Sequence, residues 1–375
     1  MGRIVDIFKR HGPLYLRMHE ANILPSHRRT IYDICRCRTP IMGGHLYHCD
    51  TCDHYHYSYH CCGNRHCPQC RSQATRQWVQ QRMGELMPVP YFHLVFTLPS
   101  EFRDMVRANQ KIVFPVLFKA AAASLMQLTA DERYVGAQIG ILAVLHTWSR
   151  AMIYHPHVHL LVPGVGLSRD GSTVFFSRRE YLVPVKALSI LFRAKFISML
   201  KKELPGKMVP SVSRKKAWVV FCKYLDLGPE KVIDYLGRYL NRVAISDARV
   251  HRLADGDVLV HYRDEDRIKS MRLSPHEFLR RYLQHVLPKG LNKVRRYGLF
   301  APARQKSLKE LQCQLLLAAQ TKLTLLTALA ATAEKVEKPY QRLCPHCGHG
   351  VIKRVLPIAP NYRNRSPPSQ SVAAT

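Results

Sequence analysis

YHPHVHLLVPG (154–164) closes on Pro163 and Gly164, and its HVHLLVPG portion reads as a buried strand. Successive side chains on a strand point to opposite faces. His157 and His159 therefore share a face, about 6.6 Å apart along the chain, while Val158 turns towards the core. That placement suits joint ligation of one ion. Around this stretch, PYFHLVFTLP (90–99), IGILAVLHTW (139–148), TVFFS (173–177) and AWVVFCKY (217–224) also read as strands. Residues 101–129 and 187–204, and a segment from about Pro229 to Arg242, carry helical spacing. DVLVHYRD and RIKSMRLS read as a hairpin, and Ser274 caps a further helix near 275–287. The fold class expected is α+β, with a central, mainly antiparallel sheet flanked by helices.

The charge balance narrows the partner. The 375 residues carry 57 Lys+Arg against 26 Asp+Glu, a net charge of +31. Such a surplus repels itself unless a polyanion neutralises it, which points to nucleic acid. An anionic membrane fits less well, because the cations are spread along the chain and do not gather on one amphipathic stretch. No signal-peptide core opens the chain and no run is expected to reach the roughly 18 apolar residues of a membrane span. A cytoplasmic, nucleoid-associated protein is the expectation, and in that compartment cysteines are metal ligands before they are disulfides.

Eight of the twelve cysteines fall between Cys35 and Cys70, in a polar segment with little apolar periodicity. Cys49-x2-Cys52 and Cys67-x2-Cys70 have the spacing of a four-cysteine zinc site, so these four are expected to hold one structural Zn²⁺. Cys35, Cys37, Cys61 and Cys62, with His45 and His48, are candidates for a second ion or for spare thiols. Cys344 and Cys347, with His346 or His349, make half a site, which either a distant ligand completes or no metal occupies. Three regions follow: a zinc-binding domain over 1–80, a sheet domain over 85–300, and a C-terminal part over 301–375. The last comprises a long helix, the CPHC element and a disordered tail.

Tyr235 and Tyr239 stand at i, i+4 of an expected helix, so both hydroxyls project from one face. A tyrosine hydroxyl can attack phosphorus and conserve the bond energy in a phosphotyrosine, helped by a metal that polarises the phosphate. Each signal alone is weak. Among 20 histidines in 375 residues chance gives about one His-x-His pair, and His54-x-His56 and Tyr55-x3-Tyr59 are decoys. The bland alternatives are a satisfied strand pair of histidines and a tyrosine face packed on the sheet.

The two motifs together are more specific. YHPHVHLLVPG (154–164) and VIDYLGRYLNRVAIS (232–246) resemble the signatures of the His-hydrophobe-His (HUH) rolling-circle transposases. GGHLYHCDTC (43–52), GNRHCPQCR (63–71) and FHLVFTLPSEF (92–102) are similar to the two-tyrosine insertion-sequence group that carries an N-terminal zinc-binding domain. The resemblance runs, in order, over about residues 1–300. It implies a palm-like nuclease domain and rolling-circle transposition through a 5'-phosphotyrosine. It also implies catalytic Mg²⁺ or Mn²⁺ and single-stranded DNA at transposon ends and target, with host replication proteins as further candidate partners. His157 and His159 would then take the catalytic metal, and Tyr235 and Tyr239 would be nucleophiles, with Tyr235 favoured if only one acts. The third metal ligand stays open between His155, by strand parity, and His146 on the preceding strand. Arg238 and Arg242, one turn apart beside the tyrosines, are candidates for gripping a phosphate. Lys293, Arg295 and Arg296 beside Tyr297 are candidates for backbone binding with base stacking. Competing readings are an HUH replication initiator or relaxase, which lacks such a zinc module, and a non-enzymatic zinc-dependent DNA-binding protein.

Overall fold

The computed structural model describes residues 3–70, 85–206, 209–210, 216–225, 245–264, 267–324 and 342–361. The chain divides into two compact units. The first unit begins with helices α1 (Ile4–Met18) and α2 (Pro25–Arg36) and strands β1 (Gly44–Cys49) and β2 (Tyr55–Tyr59). The second unit holds β3 (Tyr91–Thr97), helices α3 (Arg103–Ala108) and α4 (Gln110–Thr129), and strands β4 (Gln138–Trp148) and β5 (Tyr154–Pro163). It continues through β6 (Val165–Leu167), β7 (Val174–Phe176), α5 (Val185–Glu203) and β8 (Val220–Leu225). The chain then returns to the first unit for β9 (Val250–Arg252), β10 (Val258–Asp264), β11 (Arg267–Leu273) and α6 (Pro275–Leu283). It re-enters the second for β12 (Val294–Gly298) and α7 (Gln305–Thr324), and ends in the first with β13 (Ile352–Ile358).

This division differs from the three consecutive regions expected. Residues 245–286 pack on the N-terminal helices: Phe8 meets the Tyr282 ring edge-on at 5.0 Å, and the Tyr282 hydroxyl donates to the His66 carbonyl at 2.7 Å. The Ile4 amide donates to Asp247, also at 2.7 Å. The far C-terminal strand β13 pairs with β1, giving the small sheet β13-β1-β2. Ser274 caps α6 as expected, its side chain accepting from the Glu277 amide.

The second unit is built on a seven-stranded sheet in the order β7-β6-β4-β5-β3-β8, with β12 pairing β4. Every strand pair among the described residues is antiparallel, so the α+β fold with its antiparallel sheet is what the chain adopts. One face is sealed by α4 and α5. Leu188, Phe192, Phe196 and Leu200 recur every four residues along α5 and meet Phe114, Leu117, Phe118 and Leu125 of α4 over Phe92, Leu94, Phe96, Val158 and Leu160. Each such side chain contributes about 1.5–3 kcal/mol on burial. Helix α4 is long and apolar enough to cross a membrane, with a mean hydropathy of 1.6, contrary to the expectation that no run is. That apolarity is used in the core just described.

Parity assigns the other face. His157, His159 and Leu161 of β5 sit opposite His146, Val144 and Leu142 of β4 in register. The apolar end of this face, with Leu142, Val144 and Leu161, is covered by Leu308, Leu311 and Leu315 of α7. Gly298 ends β12 at φ +58, where a Cβ would lie 1.9 Å from the Ile139 carbonyl oxygen. Gly298→Ala is therefore expected to cost about 1–3 kcal/mol through backbone strain and a disturbed β4–β12 edge. A denaturant titration reads this directly, and an unchanged midpoint would refute it.

Candidate active site

Three imidazoles converge on the α7 side of the sheet, beyond the leucines that α7 covers. His157 and His159 come from β5, and register places His146 of β4 directly opposite His157. Their ring centroids form a triangle of 5.4, 4.4 and 4.9 Å, and one ring nitrogen from each lies within 4.8 Å of the others. All three are buried. His155 is half-buried, lies outside this cluster and contributes its backbone instead: the His157 Nδ1–H donates to the His155 carbonyl at 2.6 Å. That bond fixes the His157 tautomer and leaves Nε2 with a lone pair.

His93, which no motif singles out, joins the same face from β3. Its Nε2 is 2.7 Å from His159 Nδ1, and the rings stack at 5.0 Å. Only the pairing of β3 with β5, His93 against Leu161 and Val95 against His159, brings it there. A hydrogen bond on Nδ1 orients His159 so that Nε2 serves the cluster.

The electrostatics favour neutral rings. Burial lowers His157 and His93 to about 4 and His159 to about 2. The Lys293 ammonium, which sits 4.8 Å over the Trp148 ring, adds to the depression of His157 and His159. At neutral pH His157 and His159 therefore offer lone pairs and no positive charge, the state in which nitrogen binds a metal.

The cysteines group differently from the expected single site, and this is a correction. Cys49 and Cys52 do not meet Cys67 and Cys70. Cys67 and Cys70 converge with Cys37 and Cys62, with Cys37–Cys70 and Cys62–Cys70 sulfur separations of 3.4 and 3.5 Å. Cys49 and Cys52 converge with Cys344 and Cys347. The reason is geometric: β1 pairs with β13, which brings Cys49 at its end to the CPHC turn that precedes β13. Of the second-ion candidates, Cys35 and Cys61 stay outside both groups. Cys35 donates to the Phe8 carbonyl, with its thiol pushed up to about 11 by burial, and Cys61 is exposed. His45 rests against His60 and His48 against Asp53.

Known proteins match this architecture in both halves. Residues 7–98 fit the family described as "Transposase zinc-binding domain", and residues 140–308 fit the one described as "Putative transposase". "Putative transposase y4qJ" of Sinorhizobium fredii is 38% identical over 92% of this chain and 93% of its own length. The transposase for insertion sequence element IS801 of Pseudomonas savastanoi pv. phaseolicola is 29% identical over 72% of this chain and 70% of its own. The chain belongs to the IS91 family of transposases. Among solved structures, a bacterial tRNA(His) guanylyltransferase (Thg1)-like protein in complex with GTP matches 55% of this chain and 92% of that one. Its identity is 12% and its TM-score 0.24, too low to carry an argument.

A transposase is a DNA-cleaving enzyme, and the matched zinc-binding domain together with the cysteine clusters supports structural zinc. The cations expected to meet DNA are placed as follows. Arg295 and Arg296 of β12 line a cavity of about 900 Å³ with Lys111, Lys119, Lys289 and Tyr297. Arg296 also pairs with Glu85 at 3.0 Å, and Arg295 lies over the Phe118 ring at 4.8 Å. Lys293 stands instead by the histidines. Tyr235, Tyr239, Arg238 and Arg242 lie outside the described residues.

The depressed histidines set a pH dependence. Between 6.5 and about 4 the unfolded chain binds protons that folded His157 and His93 refuse, so stability is lost as pH falls through that window. Without added divalent metal, the transposase should melt at progressively lower temperature from pH 7 to 5. His157→Asn should flatten that slope; an identical slope in the variant would show that His157 does not carry it.

Proposed function

We propose that this transposase cuts and rejoins single-stranded DNA at its element's ends through a tyrosine nucleophile, with a divalent metal held by His146, His157 and His159. The observation that carries the reading is the convergence of three buried imidazoles, two of them held neutral by burial, on one sheet face of a DNA-cleaving enzyme. His146 is thereby favoured over His155 as the third ligand. Three nitrogen donors are a poor match for Mg²⁺, which prefers oxygen, and Mn²⁺ is the better fit. When bound, the ion would polarise the scissile phosphate and stabilise the leaving oxygen.

The protein's own groups divide the remaining work. His93 holds His159 in its ligating orientation, and the His155 carbonyl does the same for His157. Lys293 supplies a positive charge beside the cluster for a non-bridging phosphate oxygen, while Arg295 and Arg296 offer guanidinium groups to neighbouring phosphates. The phenol of Tyr235 or Tyr239 loses its proton to water and bonds to phosphorus, and the 3'-oxygen leaves and takes up a proton. The strand remains joined as a 5'-phosphotyrosine, and attack by another 3'-hydroxyl reverses these bonds without external energy. Two tyrosines four positions apart in the sequence would allow a second strand to be captured before the first is released, which supports rolling-circle transposition. Nucleoid association and help from host replication proteins belong to the same reading.

Incubating the purified transposase with single-stranded oligonucleotides from its element's ends and Mn²⁺ should give a covalent adduct on a denaturing gel. Tyr235→Phe with Tyr239→Phe should abolish the adduct while leaving DNA affinity within about twofold; persistence of the adduct would move the nucleophile elsewhere. His157→Ala and His146→Ala should each slow cleavage by about 100-fold or more. Wild-type rates in His146→Ala would exclude it as a ligand.

A further inference from the structure

Four cysteines nearly 300 positions apart in the chain meet at one end of the small sheet in the first unit. Strand β1 pairs antiparallel with β13 from Gly44 against Ile358 to Cys49 against Ile352, with a bulge between Leu46 and Tyr47. The turn that follows β1, Cys49 to Cys52, therefore lies beside the turn that precedes β13, Cys344 to Cys347. Sulfur separations are 3.9 Å for Cys49–Cys347 and 3.7 Å for Cys52–Cys344, and all four sulfurs lie within 4.8 Å of one another. A tetrahedral ion with about 2.3 Å bonds to sulfur requires sulfurs about 3.8 Å apart. A disulfide would need about 2.05 Å, and all four cysteines are free.

The second turn has the hydrogen bonding of a metal knuckle. The His346 amide points at Cys344 Sγ at 3.4 Å, and the Gly350 amide at Cys347 Sγ at 3.3 Å. Backbone donors aimed at sulfur stabilise the thiolate, the form that binds metal. Position 350 admits only glycine, because a Cβ would come within 2.5 Å of Cys49 Sγ. Cys49 and Cys344 are 0% and 1% exposed.

Beyond its backbone ladder with β1, the side-chain contacts that hold β13 among the described residues are small. The local core is Cys49, Cys344 and Ile352, edged by Tyr47, Cys52 and Cys347. Around it, Lys353 pairs with Asp50 at 3.0 Å, Arg342 lies over Tyr47 at 4.9 Å, and His346 stacks on His54 at 4.5 Å. Exposed pairs of this kind contribute about 1 kcal/mol or less each. An element with so little core needs a metal staple.

We propose that Cys49, Cys52, Cys344 and Cys347 form a second zinc site, separate from Cys37, Cys62, Cys67 and Cys70, in which the far end of the chain completes the N-terminal zinc-binding domain. The matched zinc-domain family ends at residue 98, well before Cys344. The site's function is to fasten β13 to β1. It does not depend on the tyrosine chemistry proposed above, and its test does not involve DNA.

Full-length transposase is purified from zinc-supplemented medium and its metal is measured by elemental mass spectrometry. With His157→Ala carried in both proteins so that the histidine cluster adds no ion, two zinc ions per chain are expected, falling to one in Cys344→Ser with Cys347→Ser. One zinc with the cysteines intact, two in that variant, or iron in this site would overturn the proposal. Should the variant fail to fold, alkylation of the native wild type decides. Cys49, Cys52, Cys344 and Cys347 should resist modification together until zinc is chelated, whereas the exposed Cys61 and Cys313 react at once. Labelling of Cys344 and Cys347 as fast as Cys313 in zinc-loaded protein would rule the site out.

Discussion

The pairing of β4 with β5 is the constraint on which the second unit depends. Its register sets Val158 and Leu160 against Leu145 and Ala143 in the core, and by the same step sets His157 and His159 against His146 and Val144 on the opposite face. A slip of one residue would turn every one of these side chains over, setting imidazoles against α4 and α5 and placing valine and leucine where the histidines now meet. The apolar core thus specifies the geometry of the histidines. Hydrogen bonds with their neighbours then set the ring orientations.

Burial then gives these histidines their chemistry. An imidazole in water is partly protonated near neutral pH, and a proton competes with any metal for the same lone pair. Held between strands and beside the Lys293 charge, the rings stay neutral well below that range. His93 and the His155 carbonyl each engage one ring nitrogen, so the remaining ones are oriented by the protein before any ligand arrives. The cost of burying polar rings is met by these hydrogen bonds and by the surrounding hydrophobic packing.

The first unit solves a different problem. It has a hairpin, short helices and a small sheet whose outer strand comes from the far end of the chain. Helix α1 and helix α6 supply a modest apolar core through Phe8 and Tyr282, but the Cys/His-rich segment has almost none. Thiolate clusters substitute for that missing core, since a bound ion ties several loops together where side-chain burial cannot. An overall charge of +31 adds self-repulsion that metal ties and bound DNA would both offset.

Local features of this transposase were legible in the sequence because they depend on neighbours within one or two turns. The alternation around His157 and His159, the strands near 91–97 and 139–148, the Ser274 cap and the spacing of the CxxC pairs are all of this kind. Partners across the chain were not legible. Nothing in the sequence distinguishes Cys67 and Cys70 from Cys344 and Cys347 as companions for Cys49 and Cys52, and His93 looks like any polar residue on a strand. Those choices follow from which strand pairs with which, and in what register. Strand pairing is a long-range outcome of packing the whole sheet, and the period of a single strand carries no information about it.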